Sequence, residues 1–460
     1  MTALLDCPAE ILHAIFEHLP TSSLHALCLV NKRLHQIAEP LLYTEIELIW
    51  MARRPPPIIP LLRTIQDQPR LASHVERLTL RAPFRRIARP DEGGGEIEPG
   101  GFHYTQLPHS IPTDGTDLAG FIATIRDIDP PFRDRWIQEL QNGTMDAFVM
   151  LLLLYVQNIT HLRITGVFAR ANHLLGMMLR AALCQDLHCR LPQLQFLQNV
   201  VTEPELSCSR YNDPKNTADI LPMFYLPSVR SIAAEIDNPA IFAWPTYTPN
   251  ASHITTLDLE VIREGHLGRI LATTKNLKVL KWRWLYEQLL RNEFNSDIIN
   301  LDQIAADLTF VQETLESLHL SVMFDNDYWE DTLSATGSLK GLRNFERLQR
   351  LEIPELFLMG FSLVDNVDCL EDLMPKNMHH LTINDDSIWL EGIAWQDRDL
   401  FNKLQRWWEG NMHQTPWFTS FKLSLQYSDE QWCAGIRQEL SDLGARLGIQ
   451  LEIFKNHRDY

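Results

Sequence analysis

The stretch LLDCPAEILHAIFEHLP at residues 4–20 predicts an amphipathic helix and, with it, the start of a small helical domain. Pro8 suits the first turn of a helix, and Glu10 places an acidic side chain near its positive end. Apolar residues then recur at helical spacing, and these are Ile11, Leu12, Ile15, Phe16 and Leu19. Pro20 cannot continue the helix and marks its end.

Two further short helices are expected to complete this domain. Thr21, Ser22 and Ser23 offer N-caps for a second helix. That helix carries Leu24, Leu27 and Leu29, and a third apolar stripe of Val30, Leu34 and Ile37 is expected to end at Pro40. A three-helix domain within residues 1–50 is marginal and has more apolar surface than it covers, so we expect a partner to cover the rest.

A different organisation begins after a Pro- and Arg-rich connection at residues 51–70. Residues 71–460 repeat a pattern of an apolar residue, two others, a second apolar residue, one other, and a third apolar residue. The clear copies are HVERLTL (74–80), ITHLRI (159–164), VRSIAAE (229–235), ITTLDLE (254–260), LKVLKW (277–282), LESLHL (315–320), LQRLEI (348–353) and MHHLTI (378–383). Weaker copies lie at Leu194–Leu197, Phe421–Leu423 and Leu451–Ile453.

This spacing is typical of leucine-rich repeats with irregular, lengthened units. It predicts an α/β fold, with one strand per repeat stacked into a parallel sheet inside and helices outside, forming a solenoid. The gap between Leu78 and Leu162 is too long for one repeat. We therefore expect an insertion at about residues 84–150, with helices near residues 122–128 and 132–140.

The first fifty residues resemble the F-box, the motif that binds the Skp adaptor of Skp–cullin–F-box ubiquitin ligases. The resemblance lies in CPAEILHAIFEHLP and in SLHALCLVNKRLHQIAEPLLYTEIEL, with Cys7-Pro8 where the family usually has Leu-Pro. The ending AEPLLYTEIEL is similar to fungal members, in which diverged leucine-rich repeats often follow the F-box. The resemblance implies a substrate-recognition subunit that reaches cullin and RING subunits through the adaptor. The residues it assigns to adaptor binding are Pro8, Ile11, Leu12, Ile15, Phe16, Leu19, Leu24, Leu27, Val30, Lys32 and Leu34, some of which must instead form the core of the unit.

The predicted sheet offers a surface for a protein target. Side chains alternate between the faces of a strand, so residues between the apolar positions point away from the core. On the more regular C-terminal repeats these residues are Asp258, Lys281, Arg283, His319, Glu352 and His380, and their mixed charges favour recognition of a polypeptide. An ordinary solvated sheet face is the alternative interpretation.

No sequence pattern indicates catalysis. The common nucleotide, hydrolase and zinc-protease motifs are absent from the sequence, and Cys184, His188, Cys189 and Cys208 lack the spacing of a closed zinc site. Asp385 and Asp386 are expected to be solvated loop residues. The net charge of -18 argues against a nucleic-acid partner. We also expect no cofactor, metal or membrane partner, and a cytoplasmic or nuclear location. An F-box scaffold acting outside a ligase, or an enzyme with an unrecognised site, remain as alternatives.

Overall fold

In a computed structural model of the chain, the described residues are 7–50, 55–81, 86–87, 103–104, 110–113, 115–165, 167–170, 173–185, 190–203, 217–287, 298–325, 334–359, 370–385, 397–425 and 432–455. The chain forms two compact units. The first comprises Met1–Cys208 with Ala218–Val229, and the second comprises Ser209–Thr217 with Arg230–Tyr460.

Helices and parallel strands alternate along most of the chain, so the fold is α/β. The helices are α1 (Ala9–Phe16), α2 (Thr21–Cys28), α3 (Lys32–Thr44), α4 (Ile58–Asp67), α5 (Pro69–Ala72), α6 (Ala119–Ile128), α7 (Arg133–Gln141), α8 (Met145–Tyr155), α9 (Val167–Arg170), α10 (His173–Cys184), α11 (Thr217–Ile220), α12 (Leu267–Leu271), α13 (Leu301–Leu308), α14 (Glu355–Met359), α15 (Leu370–Leu373), α16 (Asp397–Gly410) and α17 (Ala434–Leu447). Short 3-10 turns occupy Leu221–Tyr225, Thr309–Val311, Lys340–Asn344 and Met412–Gln414.

Most of the strands have five or six residues, and the two longest have nine. They are β1 (Glu45–Ile49), β2 (Arg77–Arg81), β3 (Arg86–Ile87), β4 (His103–Tyr104), β5 (His161–Thr165), β6 (Asn199–Glu203), β7 (Ser231–Glu235), β8 (Thr256–Glu260), β9 (Val279–Glu287), β10 (Ile298–Asn300), β11 (Ser317–Asp325), β12 (Ser334–Thr336), β13 (Arg350–Pro354), β14 (His380–Asn384), β15 (Ser420–Leu425) and β16 (Gln450–Lys455). Two small pairs lie apart from the long parallel arrangement: β3 with β4 antiparallel, and β10 with β12 parallel.

The helical start of the first unit differs from the prediction at Pro40. Helix α3 runs through Pro40 and ends only at Thr44. A proline inside a helix forfeits one backbone hydrogen bond. Here Leu41 and Leu42, in the turn that follows Pro40, pack against the core of the three helices. Their burial offsets the lost bond, so the stop expected at Pro40 is wrong.

Four parallel strands of the first unit follow one another in the order β1, β2, β5, β6. Their register aligns Ile46, Leu78, Leu162 and Val200. The weaker copy predicted at Leu194–Leu197, with Leu197 as its middle apolar residue, is therefore placed three residues too early. Leu197 occupies the first apolar position and Val200 the middle one, and the third position holds the buried Thr202, which obscures the pattern.

Strand β1 also lies within the stretch assigned to the helical domain. Its burial alternates strictly, with Ile46 and Leu48 inside, and it pairs in parallel with β2 along its whole length. The parallel strands therefore begin at residue 45 and not near residue 71. Of the predicted insertion, the two expected helices correspond to α6 and α7, whereas most of residues 82–109 lie outside the described residues.

Eight parallel strands of the second unit also succeed one another in chain order: β7, β8, β9, β11, β13, β14, β15 and β16. The middle positions of the repeats align across them, and Leu257, Leu280, Leu318, Leu351 and Leu381 are all at most 2% exposed. Burying one leucine side chain stabilises a fold by about 1.5–3 kcal/mol. This aligned row of apolar residues therefore holds the sheet of the second unit together and leaves the intervening side chains on its other face.

Candidate functional site

The three N-terminal helices divide their apolar residues between a small core and the surface. The core consists of Leu12, Phe16, Leu24, Leu34 and Ala38, none of which is more than 6% exposed. Half-buried residues, including Leu19 and Leu27, pack around it. Helix α1 buries Leu12 and Phe16 against this core, whereas its two isoleucines point away from it.

Four large apolar side chains remain exposed on this domain. Ile11 and Ile15, one helical turn apart on α1, are 51% and 43% exposed. Leu29 and Val30, at the C-terminal end of α2, are 76% and 58% exposed. Exposed large aliphatic residues on so small a domain make this surface a candidate for contact with another protein. We refer to these four residues as the apolar surface of the helical domain.

The structure sorts the predicted adaptor-binding residues into three groups. Those exposed are Pro8, Ile11, Ile15, Val30 and Lys32, those half-buried are Leu19 and Leu27, and those in the core are Leu12, Phe16, Leu24 and Leu34. Leu29 is the most exposed of the large apolar residues on this domain, and the prediction did not include it. Leu29 lies just beyond the last turn of α2, where helical spacing of apolar residues no longer indicates which side chains are buried. Which of these residues contact a partner stays a prediction.

Polar contacts hold the three helices in place beneath that surface. Asn31 caps α3, since its side chain accepts a hydrogen bond of 2.9 Å from the Leu34 amide. The Arg33 guanidinium donates a bond of 2.7 Å to the Cys7 carbonyl and so ties α3 to the residues before α1. At the other end, Glu39 pairs with Arg70 of α5 at 2.9 Å. The domain is thus braced on both sides.

The second candidate site is the outward face of the strands in the second unit. One row of this face aligns in register and carries Asp258, Lys281, His319, Glu352, Thr382, Lys422 and Glu452, which we call the charged row. On β8, β13 and β14 the residues of this row lie between two buried apolar residues, so the charged row stands on the face opposite the core. The structure therefore brings together five of the six residues predicted to bind a target, namely Asp258, Lys281, His319 and Glu352 in this row, and Arg283 in the next.

Charges in these rows pair across neighbouring strands. Lys281 Nζ lies 3.7 Å from Asp258 Oδ2, His319 Nδ1 lies 2.9 Å from Glu352 Oε2, and Lys422 Nζ lies 2.5 Å from Glu452 Oε2. In the adjacent row Arg283 pairs with Glu260. The exposed lysine pairs contribute only about 0–1 kcal/mol each, so an incoming polar group competes with them at little cost.

A cavity of about 460 Å³ opens in the same face. It is lined by Asp258, Lys281, Trp282, Arg283, His319, Ser321, Glu352, Thr382, Lys422, Ser424 and Phe454. The volume is in the range of pockets that hold a small molecule or one or two side chains. His380, the sixth predicted residue, lies two residues before Thr382 on the same face of β14 and does not line the cavity. Burial, with Arg350 and other cations nearby, lowers the pKa of His380, so it is neutral at pH 7.

A group of carboxyl side chains is buried elsewhere in the second unit. Glu355, Asp385 and Asp397 are 1%, 1% and 6% exposed, so the expectation of a solvated loop at Asp385 is wrong, and Asp386 lies outside the described residues. Burial, together with Asp397 and Asp385, raises the pKa of Glu355 well above its usual range. Among the described residues, no group of three or more His, Cys, Asp and Glu side chains has an arrangement that could hold a metal ion.

The described cysteines and helices give no sign of a reactive thiol or of a membrane span. Burial raises the pKa of the Cys184 thiol to about 11 and also raises the pKa of Cys28, so neither is poised as a thiolate. His188, Cys189 and Cys208, considered as metal ligands from the sequence, lie outside the described residues. Within the described part of the chain, every helix falls short of the length and apolarity needed to cross a membrane.

Comparison with known proteins identifies one domain. Residues 4–48 match the F-box-like family, and these residues contain all three N-terminal helices and most of strand β1. The match covers about a tenth of the chain and includes the apolar surface defined above. No curated protein matches the chain.

Proposed function

We propose that the chain is a substrate-recognition subunit of a Skp–cullin–F-box ubiquitin ligase. The observation that carries the proposal is the apolar surface of an F-box-like domain, Ile11, Ile15, Leu29 and Val30, whose side chains are 43–76% exposed. This surface would dock on a Skp-family adaptor, which in turn recruits cullin and RING subunits. The chain would contribute position and no bond chemistry, raising the local concentration of a target beside the ubiquitin-charged enzyme.

The second part of the proposal concerns the repeats. We interpret residues 71–460 as an irregular leucine-rich-repeat solenoid of the fungal type. Support comes from the chain-order succession of parallel strands in each unit and from the aligned leucines beneath them. The charged row and its cavity would then be the face that binds a protein target. A cytoplasmic or nuclear location is part of this proposal, because Skp–cullin–F-box ligases act there.

A binding assay with a purified Skp-family adaptor tests the docking step. Ile15→Asp places a charge on the apolar surface without entering the core, so it should leave the fold intact and weaken adaptor binding at least a hundredfold. Ile241→Asp is the matched control, since Ile241 is 83% exposed and belongs to the second unit. Equal adaptor affinity for the wild-type chain and the Ile15→Asp variant would refute the proposed docking surface.

The same assay separates the ligase role from a scaffold role outside a ligase. A receptor should bring cullin into the complex whenever the adaptor is bound. An adaptor complex that excludes cullin would favour the scaffold, with the apolar surface still used for docking.

A further inference from the structure

The cavity in the second unit differs in charge from the rest of the chain. Of the described residues that line it, Lys281, Arg283 and Lys422 are cationic, whereas Asp258 and Glu352 are the carboxylates. The chain as a whole carries a formal charge of -18. A local excess of cations in a concave site attracts anionic groups, even on a protein that is acidic as a whole.

Two of the three cations that line the cavity have ion-pair partners that lie outside its lining. Arg283 pairs with Glu260 and Lys422 pairs with Glu452, but neither of these glutamates lines the cavity. Lys281 pairs with Asp258, which does line the cavity, so an entering anion competes with that carboxylate for Lys281. The Arg283 guanidinium also has a donor to spare, because its Nε is buried and has no hydrogen-bond acceptor in the described part of the chain. An unpaired buried donor is costly, so an acceptor that enters beside it is favoured.

Small hydroxyl residues provide the second half of a binding site. Ser321 and Ser424 line the cavity and are only 2% and 3% exposed. In the register of the sheet, Ser321 is the direct neighbour of Arg283, and Ser424 is the direct neighbour of Phe454. Side chains this small leave space above them, and each hydroxyl is able to donate one hydrogen bond to an oxygen that enters that space.

We infer that this cavity binds an anionic side chain of a polypeptide, its carboxylate or phosphate oxygens held by Arg283 and Lys281 with hydrogen bonds from Ser321 and Ser424. The Phe454 ring, over which Lys422 Nζ lies at 5.9 Å, supplies an apolar wall for the aliphatic part of the bound residue. The inference rests on the proposed function, because it takes this face to be the one that captures targets. It adds a chemical class of target, a segment that carries an acidic or phosphorylated residue.

A peptide-binding measurement on the full chain tests the inference. The probes are four pools of short fluorescein-labelled peptides, random except for a central Glu, phosphoserine, Gln or Lys, and binding is followed by anisotropy. Charge-assisted hydrogen bonds predict that the Glu or the phosphoserine pool binds about tenfold or more tightly than the Gln pool, and that the Lys pool binds most weakly. The ratio of the first two pools distinguishes a carboxylate from a phosphate.

Three variants locate the preference. Arg283→Gln and Lys281→Gln should each reduce the preference for the anionic pool to about threefold or less, and the second variant alters an exposed side chain that the fold does not need. Arg350→Gln is the matched control, because Arg350 is an exposed arginine of the same strand face that does not line the cavity. A preference that persists in both cavity variants would overturn the inference, as would a Gln pool that binds the wild type as tightly as the anionic pools.

Failure of this inference is distinguishable from failure of the proposed function. Adaptor binding is measured on the same preparations. A chain that binds the adaptor but shows no anion preference would refute only the cavity inference. A chain that prefers anionic peptides but does not bind the adaptor would refute only the ligase assignment.

Discussion

At the scale of single residues, adjacent positions of one helix divide between core and surface in the helical domain. Phe16 is 2% exposed and Ile15, its neighbour, is 43% exposed. The sequence shows that both are apolar, but it does not show which one a second helix covers. That distinction depends on the packing of α2 and α3, and it is the reason that only part of the predicted adaptor-binding set is exposed.

The two neighbours should respond differently to truncation. Phe16→Ala removes the largest side chain of a five-residue core and should destabilise the helical domain by about 3–5 kcal/mol. Ile15→Ala should change stability by no more than about 0.5 kcal/mol while still weakening adaptor binding. Thermal unfolding and adaptor affinity, measured on both variants, check this. Equal loss of stability in the two variants would contradict the assignment of Ile15 to the surface.

Asp146, in the first turn of α8, gives a residue-scale prediction about pH. Its carboxylate accepts a hydrogen bond of 2.7 Å from the Leu174 amide, yet complete burial raises its pKa to about 7. A raised acid pKa means that the folded state holds a proton which the unfolded state has already lost between about pH 4 and pH 7. Stability should therefore fall as the pH rises through this window. His173, paired with Asp219 at 2.7 Å, has a raised pKa and acts in the same direction, losing its contribution as the pH rises.

Asp146→Asn keeps an acceptor for the Leu174 amide and removes the titration. The variant should lose most of the decline in stability between pH 5 and pH 8, a difference of about 1–4 kcal/mol at pH 8. Urea unfolding at the two pH values measures this difference. An unchanged pH dependence would show that the Asp146 carboxyl has an ordinary pKa.

At the scale of elements, the repeat pattern predicted most strands correctly, and its failures have physical causes. In the copies from Ile254 to Ile383, the middle leucines predicted from the pattern align in the observed strand register. Each of these leucines is buried, so the pattern stays clear there. The pattern failed at β6, where Thr202 replaces the third apolar residue, and it missed β1, which follows α3 with no loop between them. The charged row was predictable because alternation alone assigns its face, whereas the cross-strand ion pairs and the cavity depend on loops and register that the sequence does not specify.

The face proposed to bind a target gives the prediction that belongs to this scale. Replacing Lys281, Arg283, His319 and His380 together by Ala should weaken target capture strongly and leave adaptor affinity unchanged. The first three line the cavity, and His380 does not, so the single variant His380→Ala should retain most of the capture. Quantitative co-purification of targets with the two variants measures the difference. Full capture by the quadruple variant would show that targets bind elsewhere.

At the scale of the whole molecule, metal ions should have no part in stability. Among the described residues, no group of three or more His, Cys, Asp and Glu side chains could hold a metal ion, and we therefore expect chelation to leave the stability unchanged. The melting temperature of the full chain should be the same with and without EDTA. A large decrease on chelation would place a structural metal in the chain and contradict this account.

The central claim joins the F-box-like domain to a ligase role, and one measurement tests it most directly. Affinity purification with mass spectrometry should compare the wild-type chain with the Ile15→Asp variant, since a deletion of residues 1–50 would also remove strand β1. The account predicts that the wild type recovers a Skp-family adaptor, cullin and a set of targets, and that the folded variant recovers the targets but neither adaptor nor cullin. Recovery of adaptor and cullin in equal amounts by both chains would contradict the claim.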